Sequence, residues 1–221
     1  MNIPTNISDK DAGDDRPVRL DTYEPVVLGI GGTLRPGSSS EQALRLALAA
    51  AGRYGATTEI LTASELNLPA YDYSNADCDG AKLLLNAVRR ADCLIICTPG
   101  YHGGMSGLLK NALDYLEGLS GDAAPYLQNK AVGCIVTAAG WQAGATTLSS
   151  LRATVHALRG WPTPLGAVIN SALRPFDANG EASDLKVAQQ LDIVGKEVVT
   201  FARAHATLFG EHEYEVASAV A

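Results

Sequence analysis

Three short stretches carry the residue types from which a binding site could be built. The first is GIGGTLRPGSSS, residues 29–40, set between an apolar run and a helical pattern. A turn from strand to helix gathers backbone N–H groups and the positive end of a helix dipole on one spot, which suits an anion. Thr33, Ser38, Ser39 and Ser40 add hydroxyls, and Arg35 adds a charged fork of donors. A polar turn with a serine N-cap would account for one serine, not for an arginine and four hydroxyls. Nucleotide hydrolysis is poorly supported. G-x-x-x-x-G runs from Gly32 to Gly37, but Ser38 stands where a triphosphate loop needs lysine. G-x-G-x-x-G fails as well, because Leu34 holds the third glycine position. What remains is a terminal monophosphate held without a metal.

The second stretch is TPGYHGG, residues 98–104, and the third is TAAGWQAGA, residues 137–145. Pro99 ends a strand, and Gly100, Gly103 and Gly104 let the backbone approach a ligand closely. A planar ring with acceptors along one edge could be held there by backbone N–H groups, with Tyr101 and His102 at its face or edge. Ala138, Ala139, Gly140 and Trp141 offer the same from the third loop. His102 reads either as a proton donor or as a loop histidine that shapes the pocket. Trp141 reads either as a cover for the ring or as packing.

The elements that must position these loops alternate strand and helix. VVLGI (26–30), TTEILTA (57–63), DCLIICT (92–98), AVGCIVT (131–137) and PLGAVIN (164–170) read as strands. Helices are expected over EQALRLALAAAGRYG, AKLLLNAVRRAD, SGLLKNALDYLEGL, ATTLSSLRATVHALRG and, last, residues 183–205. Residues 65–80 form an irregular excursion rich in turn formers. Most strands are apolar on both faces, the mark of a parallel sheet covered on both sides: an α/β protein of three layers with a five-stranded sheet. Strand order 2-1-3-4-5 fits, and so does half of a dinucleotide-binding fold. Residues 1–24 read as a flexible arm, 25–207 as one domain, and 208–221 as a polar, frayed tail.

Seventeen basic against 24 acidic residues leave a net charge of −7, which speaks against nucleic acid as a partner. No run is long and apolar enough for a membrane span, and the N-terminus lacks the core of a signal peptide. Cys93, Cys97 and Cys134 lie in apolar runs, and no C-x-x-C pair occurs, so thiols in a reducing cytoplasm are expected. Arg89-Arg90 suits a helix C-terminus, His156 sits mid-helix, and His205 with the HEYE of the tail reads as solvated rather than as a metal site.

G-T-L-R-P-G-S resembles the G-S-L-R-x-G-S phosphate loop of the NAD(P)H-dependent FMN reductase family. T-P-G-Y-H-G-G-M-S-G-L-L-K-N-A-L-D-Y-L is similar to that family's T-P-E-Y-N-G-S-x-P-G-x-L-K-N-A-I-D-W-L, and the likeness runs from about Val26 to His205. The resemblance implies a flavodoxin-like fold of order 2-1-3-4-5, bound FMN, and a homodimer or homotetramer. It implies reduction of flavin, or of quinones, azo dyes or chromate, with NAD(P)H. Some relatives hand reduced flavin to a luciferase-like monooxygenase, a partner expected on that ground alone. Carried over, Thr33, Arg35, Ser38 and Ser40 meet the FMN phosphate, while Pro99, Tyr101, Gly103 and Gly104 line the ring. Gly100 replaces the family's glutamate, His102 its asparagine, and Ser40 a frequent asparagine. Hydride transfer to a flavin needs no catalytic side chain, and none is expected. A flavin-binding redox carrier or sensor is the reading from another class.

Overall fold

The computed structural model describes residues 23–74 and 76–219, with side chains up to residue 209. The arm expected over 1–24 therefore lies, up to residue 22, outside the described residues. Strands β1 (Val26–Gly31), β2 (Thr57–Leu61), β3 (Cys93–Pro99) and β4 (Ala131–Ala138) pair in parallel in the order β2-β1-β3-β4. Two short pieces, β5 (Trp161–Pro162) and β6 (Ala167–Asn170), both pair with β4. Order 2-1-3-4-5 is thus observed, and half of a dinucleotide-binding fold is excluded.

The alternation of the strands sorts the core into two layers. Leu28, Ile30, Leu94, Ile96, Val132 and Val136 face one side. They pack against α3 (Asp79–Arg90), α4 (Gly107–Asp114) and α5 (Trp141–Ala157) through Leu84, Val88, Leu109, Leu113, Leu151 and Val155. Val27, Ile95, Cys97 and Ile135 face the other side, against α1 (Ser39–Arg53) and α6 (Leu185–Ala219). There Leu44 and Leu48 of α1 meet Leu191, Val194 and Val198 of α6. Burial on both faces is what an all-parallel sheet requires. Arg53 and Tyr54, at the end of α1, both donate to the Asp192 carboxylate on α6 at 2.8 Å. That pair of bonds holds the Asp192 carboxyl below the usual carboxylate range.

Three expectations change. The fifth strand, expected over 164–170, is broken. Between the pairs Val132–Pro162 and Ile135–Ala167 the outer chain advances five residues while β4 advances three. Pro162 and Pro164 have no N–H to give a ladder. The groups freed by the detour are met elsewhere: Thr163 O accepts from Arg152 Nη1 at 2.6 Å, and Leu165 N donates to Glu197 Oε2 at 3.0 Å. Second, α5 begins at Trp141, inside the stretch expected to be loop. Third, the last helix does not stop near residue 205 but continues to Ala219.

The irregular excursion is anchored rather than loose. A single helical turn, α2 (Ala63–Leu66), opens it, with Glu65 Oε2 accepting from Thr62 N at 3.1 Å. Farther on, Asn111 of α4 accepts from Tyr71 N at 2.8 Å and donates to Pro69 O at 2.8 Å. Tyr115, in the 3-10 turn Tyr115–Leu119 that follows α4, also donates to Pro69 O, and its ring meets Tyr71 edge-on at 5.2 Å. Among the described residues no helix is long and apolar enough to cross a membrane.

Candidate functional site

Sheet order reverses at β1, whose neighbours β2 and β3 lie on opposite sides. Open parallel sheets form a crevice at the strand C-termini beside such a point. Here it is a cleft of about 710 Å³, walled by the loops after β1, β3 and β4. That volume lies within the range of cofactor and small-molecule sites.

The first wall comes from the β1–α1 loop, with Thr33, Leu34, Arg35 and Ser38 to Ser40 on the cleft. A Cβ on Gly31 (φ +148°) would collide with the Cys97 carbonyl, so only glycine lets β1 leave the sheet beside β3. Gly32 N then donates to Cys97 O at 3.1 Å. The loop is held from within. Thr33 Oγ1 accepts from Arg35 N at 3.1 Å, and Glu41 Oε2 accepts from Gly37 N at 2.9 Å. The Glu41 carboxylate is neutralised by Arg45, whose Nη2 lies 2.7 Å away. Ser38 caps α1, its Oγ accepting from Glu41 N at 3.3 Å, and it touches Ser40 Oγ at 3.2 Å. Both serine side chains are buried at the cleft floor. Arg35 is exposed, has no carboxylate partner among the described residues, and is the one charged side chain on the lining. The N–H groups of the first turn of α1 have no partners within the helix.

The second wall is Pro99, Gly100, Tyr101, Ser106, Gly107 and Leu108. Gly100 N donates to Thr137 O at 2.8 Å, which ties this loop to the end of β4. Tyr101 and Gly104 exchange both backbone hydrogen bonds, at 2.9 and 3.0 Å, and His102 (φ 51°) and Gly103 (φ 83°) turn the chain between them. Thr147 of α5, fully buried, donates to Gly104 O at 3.4 Å from behind. A Cβ on Gly100 would lie 2.9 Å from Thr147 Oγ1 and 3.3 Å from Ala138 Cβ. The glutamate of the similar motif would therefore press on Thr147 and force it to shift. Gly107, the first residue of α4, is different: a Cβ there would meet nothing within 4 Å. The third wall is Thr137, Ala138 and Ala139, with Ser171 beyond the end of β6.

Thr33, Arg35, Ser38, Ser40, Pro99, Gly100, Tyr101 and Ala139 come together on one cleft. His102, Gly103, Gly104, Gly140 and Trp141 do not line it. His102 and Gly103 form the tip of the reverse turn and Gly104 its far strand. Gly140 is the N-cap of α5, and Trp141 projects from that helix, 59% exposed. Sequence reasoning missed Leu34, Ser106, Gly107, Leu108, Thr137 and Ser171. Ser106 and Gly107 stood inside the second quoted motif, where they read as the start of a helix. Nothing in the sequence marked Ser171.

The residues present fit FMN. A cation unpaired among the described residues, three serine hydroxyls and the N-terminus of α1 suit a doubly charged phosphate group at one end. At the other end the Pro99–Tyr101 and Thr137–Ala139 segments line the cleft, with Leu108 and the uncrowded Gly107 beside them.

Known proteins resemble this chain in sequence and fold. The family model described as NADPH-dependent FMN reductase matches residues 25–173. An NAD(P)H-dependent FMN reductase of Pseudomonas aeruginosa is 32% identical over 167 residues, covering 74% of this chain and 87% of that protein. An NADPH azoreductase of a Bacillus strain is 36% identical over 95 residues, 43% of this chain and only half of the azoreductase. Among solved structures, the flavoenzyme NAD(P)H:(acceptor) oxidoreductase FerB from Paracoccus denitrificans superposes with a TM-score of 0.66 at 21% identity, over 82% of this chain and 98% of that one. With its flavodoxin-like sheet and the loops that wall its cleft, the chain belongs to the NADPH-dependent FMN reductase family of flavoprotein oxidoreductases.

Proposed function

We propose that the protein binds FMN in this cleft and reduces it with NAD(P)H. The observation that carries the reading is the division of the cleft: a cationic, hydroxyl-rich end beside the start of α1, and a backbone-lined slot beside the start of α4. Arg35, Thr33, Ser38 and Ser40 would hold the phosphate, and the Pro99–Tyr101 and Thr137–Ala139 segments would hold the ring. When bound, the flavin supplies the hydride acceptor, and the protein's task is to stack two rings and stabilise charge. The N-terminus of α4 favours the electron-rich product at its end of the cleft, because a helix start attracts negative charge. Anaerobic titration with NADPH tests the proposal: the yellow FMN complex bleaches, and FMN binds far more tightly than riboflavin. A complex that NADPH and NADH leave oxidised would refute the enzyme reading in favour of a carrier or sensor.

Azo dye or quinone as final acceptor is a second reading, supported by the Bacillus match. Steady-state turnover with free FMN, a quinone and an azo dye ranks the acceptors. A homodimer or homotetramer is supported by the resemblance and by the exposed rings of Tyr101 and Trp141 near the cleft, and light scattering tests it. Transfer of reduced flavin to a monooxygenase rests on the resemblance alone, and coupled turnover tests it. A cytoplasmic site is supported by four cysteines, none in a disulfide, and fractionation tests it.

A further inference from the structure

Ser106 carries a hydroxyl proton that the protein scarcely uses. It begins α4 as its N-cap, lines the cleft, and is 4% exposed. Its N–H donates to Thr98 Oγ1 at 3.0 Å, and its Oγ accepts from Leu109 N at 3.2 Å. Thr98 has one hydroxyl proton and two acceptors in reach: Pro99 O at 3.0 Å and Ser106 Oγ at 3.5 Å. The shorter contact takes it. The Ser106 proton is then left with Thr98 Oγ1 at 3.5 Å, the outer limit of a hydrogen bond, or with whatever fills the cleft. Tyr101 is the other side-chain donor on this wall, but it belongs to the β3 loop and is exposed, whereas Ser106 alone sits at the start of α4. In the similar motif the aligned position is proline, which can neither cap through a side chain nor donate.

We infer that the Ser106 hydroxyl donates a hydrogen bond to the ring of bound FMN and raises the flavin's affinity for electrons. The inference rests on the FMN reading of the cleft. A donor at the positive end of α4 gains most when the ring becomes electron-rich, so it holds the reduced form more tightly than the oxidised form. The hydroxyl is a group that touches the cofactor, not one that moves a proton to substrate.

The test compares Ser106→Ala, Ser106→Asp and Ser106→Thr with wild type. The readouts are the dissociation constant of oxidised FMN, the midpoint potential against a reference dye, and the melting temperature without flavin. Ser106→Ala should weaken reduced FMN relative to oxidised FMN by about three- to tenfold, the effect of one hydrogen bond. Tenfold is about 30 mV for a two-electron couple. Losing the cap should also lower the melting temperature by about 2–4 °C. Ser106→Asp keeps a cap acceptor for Leu109 N but replaces the donor by a carboxylate, so it should lower the potential further while restoring the melting temperature. Ser106→Thr should restore both. A melting loss in Ser106→Ala with an unchanged potential in both Ala and Asp variants would make Ser106 a cap only and overturn the inference. If wild type binds FMN no better than riboflavin, the FMN reading falls and this inference with it. If wild type discriminates and the potentials do not move, only the Ser106 inference falls.

Discussion

Replacing Arg35 by alanine separates the phosphate end of the cleft from everything else. The side chain is exposed, has no carboxylate partner among the described residues, and is the one charge on the lining. The loop itself is held by Thr33, Glu41 and Ser38, none of which uses the guanidinium. Removal should therefore leave the flavin-free protein nearly intact, within about 0.5 kcal/mol, as for other surface changes. For a domain of this size that is a melting shift within about 2 °C. Affinity is another matter. A hydrogen bond to a charged group contributes about 1.5–3 kcal/mol, so FMN should bind about 10- to 150-fold more weakly. Riboflavin, which lacks the phosphate, should bind wild type and variant alike. The salt dependence of FMN binding should also flatten, because a screened charge pair has been removed. Fluorescence titration of both ligands with both proteins at two ionic strengths gives the full comparison. Equal losses for FMN and riboflavin, or a melting temperature that collapses, would refute the assignment and make Arg35 a structural residue.

Restoring the family's glutamate by Gly100→Glu should destabilise the protein by about 1–3 kcal/mol in chemical denaturation, since the new Cβ presses on buried Thr147. The double variant with Thr147→Ala should recover most of that loss, and no recovery would show that the crowding lies elsewhere. His102→Asn should keep or raise the melting temperature, because asparagine tolerates the left-handed backbone (φ 51°) that His102 adopts. Anaerobic flavin reduction should stay within about tenfold, a barrier change of about 1.4 kcal/mol, and a larger loss in stopped-flow would put His102 in the reaction. Thiol titration of the native protein near pH 8 should find one reactive cysteine, half-buried Cys78. The other three should appear only in denaturant, since burial pushes the Cys134 thiol up to about 12 and raises those of Cys93 and Cys97 as well. A second fast thiol would contradict that burial.

The strands that hold the cleft were legible because their burial is extreme. Every residue of Cys93–Pro99 and Ala131–Ala138 is buried, and such runs can be little else than central strands of a parallel sheet. The loops were legible because arginine, hydroxyls and glycines at a strand end have few other uses. Legibility failed where local signals pointed the same way for two structures. Leu165 and Gly166 extend the apolar look of Ala167–Asn170, so the end of the detour was read as strand and the separate piece Trp161–Pro162 was not. Trp141 follows a glycine and reads as loop, yet it opens a helix of 17 residues. His102, Gly103 and Gly104 were read as ring-binding because glycine suggests close approach, and the sequence did not show that His102 and Gly103 also form the two-residue turn that follows Tyr101. Ser106 was invisible as a donor because capping already explains a serine at a helix start.

The detour at residues 163–166 bears on how the molecule behaves in a crowd. A long, flat outer strand offers a row of unpaired backbone groups to which a second chain can add, the route to fibrils and misassembly. On this border the row is cut into pieces of two and four residues, displaced by the detour and interrupted by Pro162 and Pro164. A foreign strand could engage only one piece before losing register. The same irregularity that blurred the start of the last strand in the sequence thus closes one flank of the sheet to further growth.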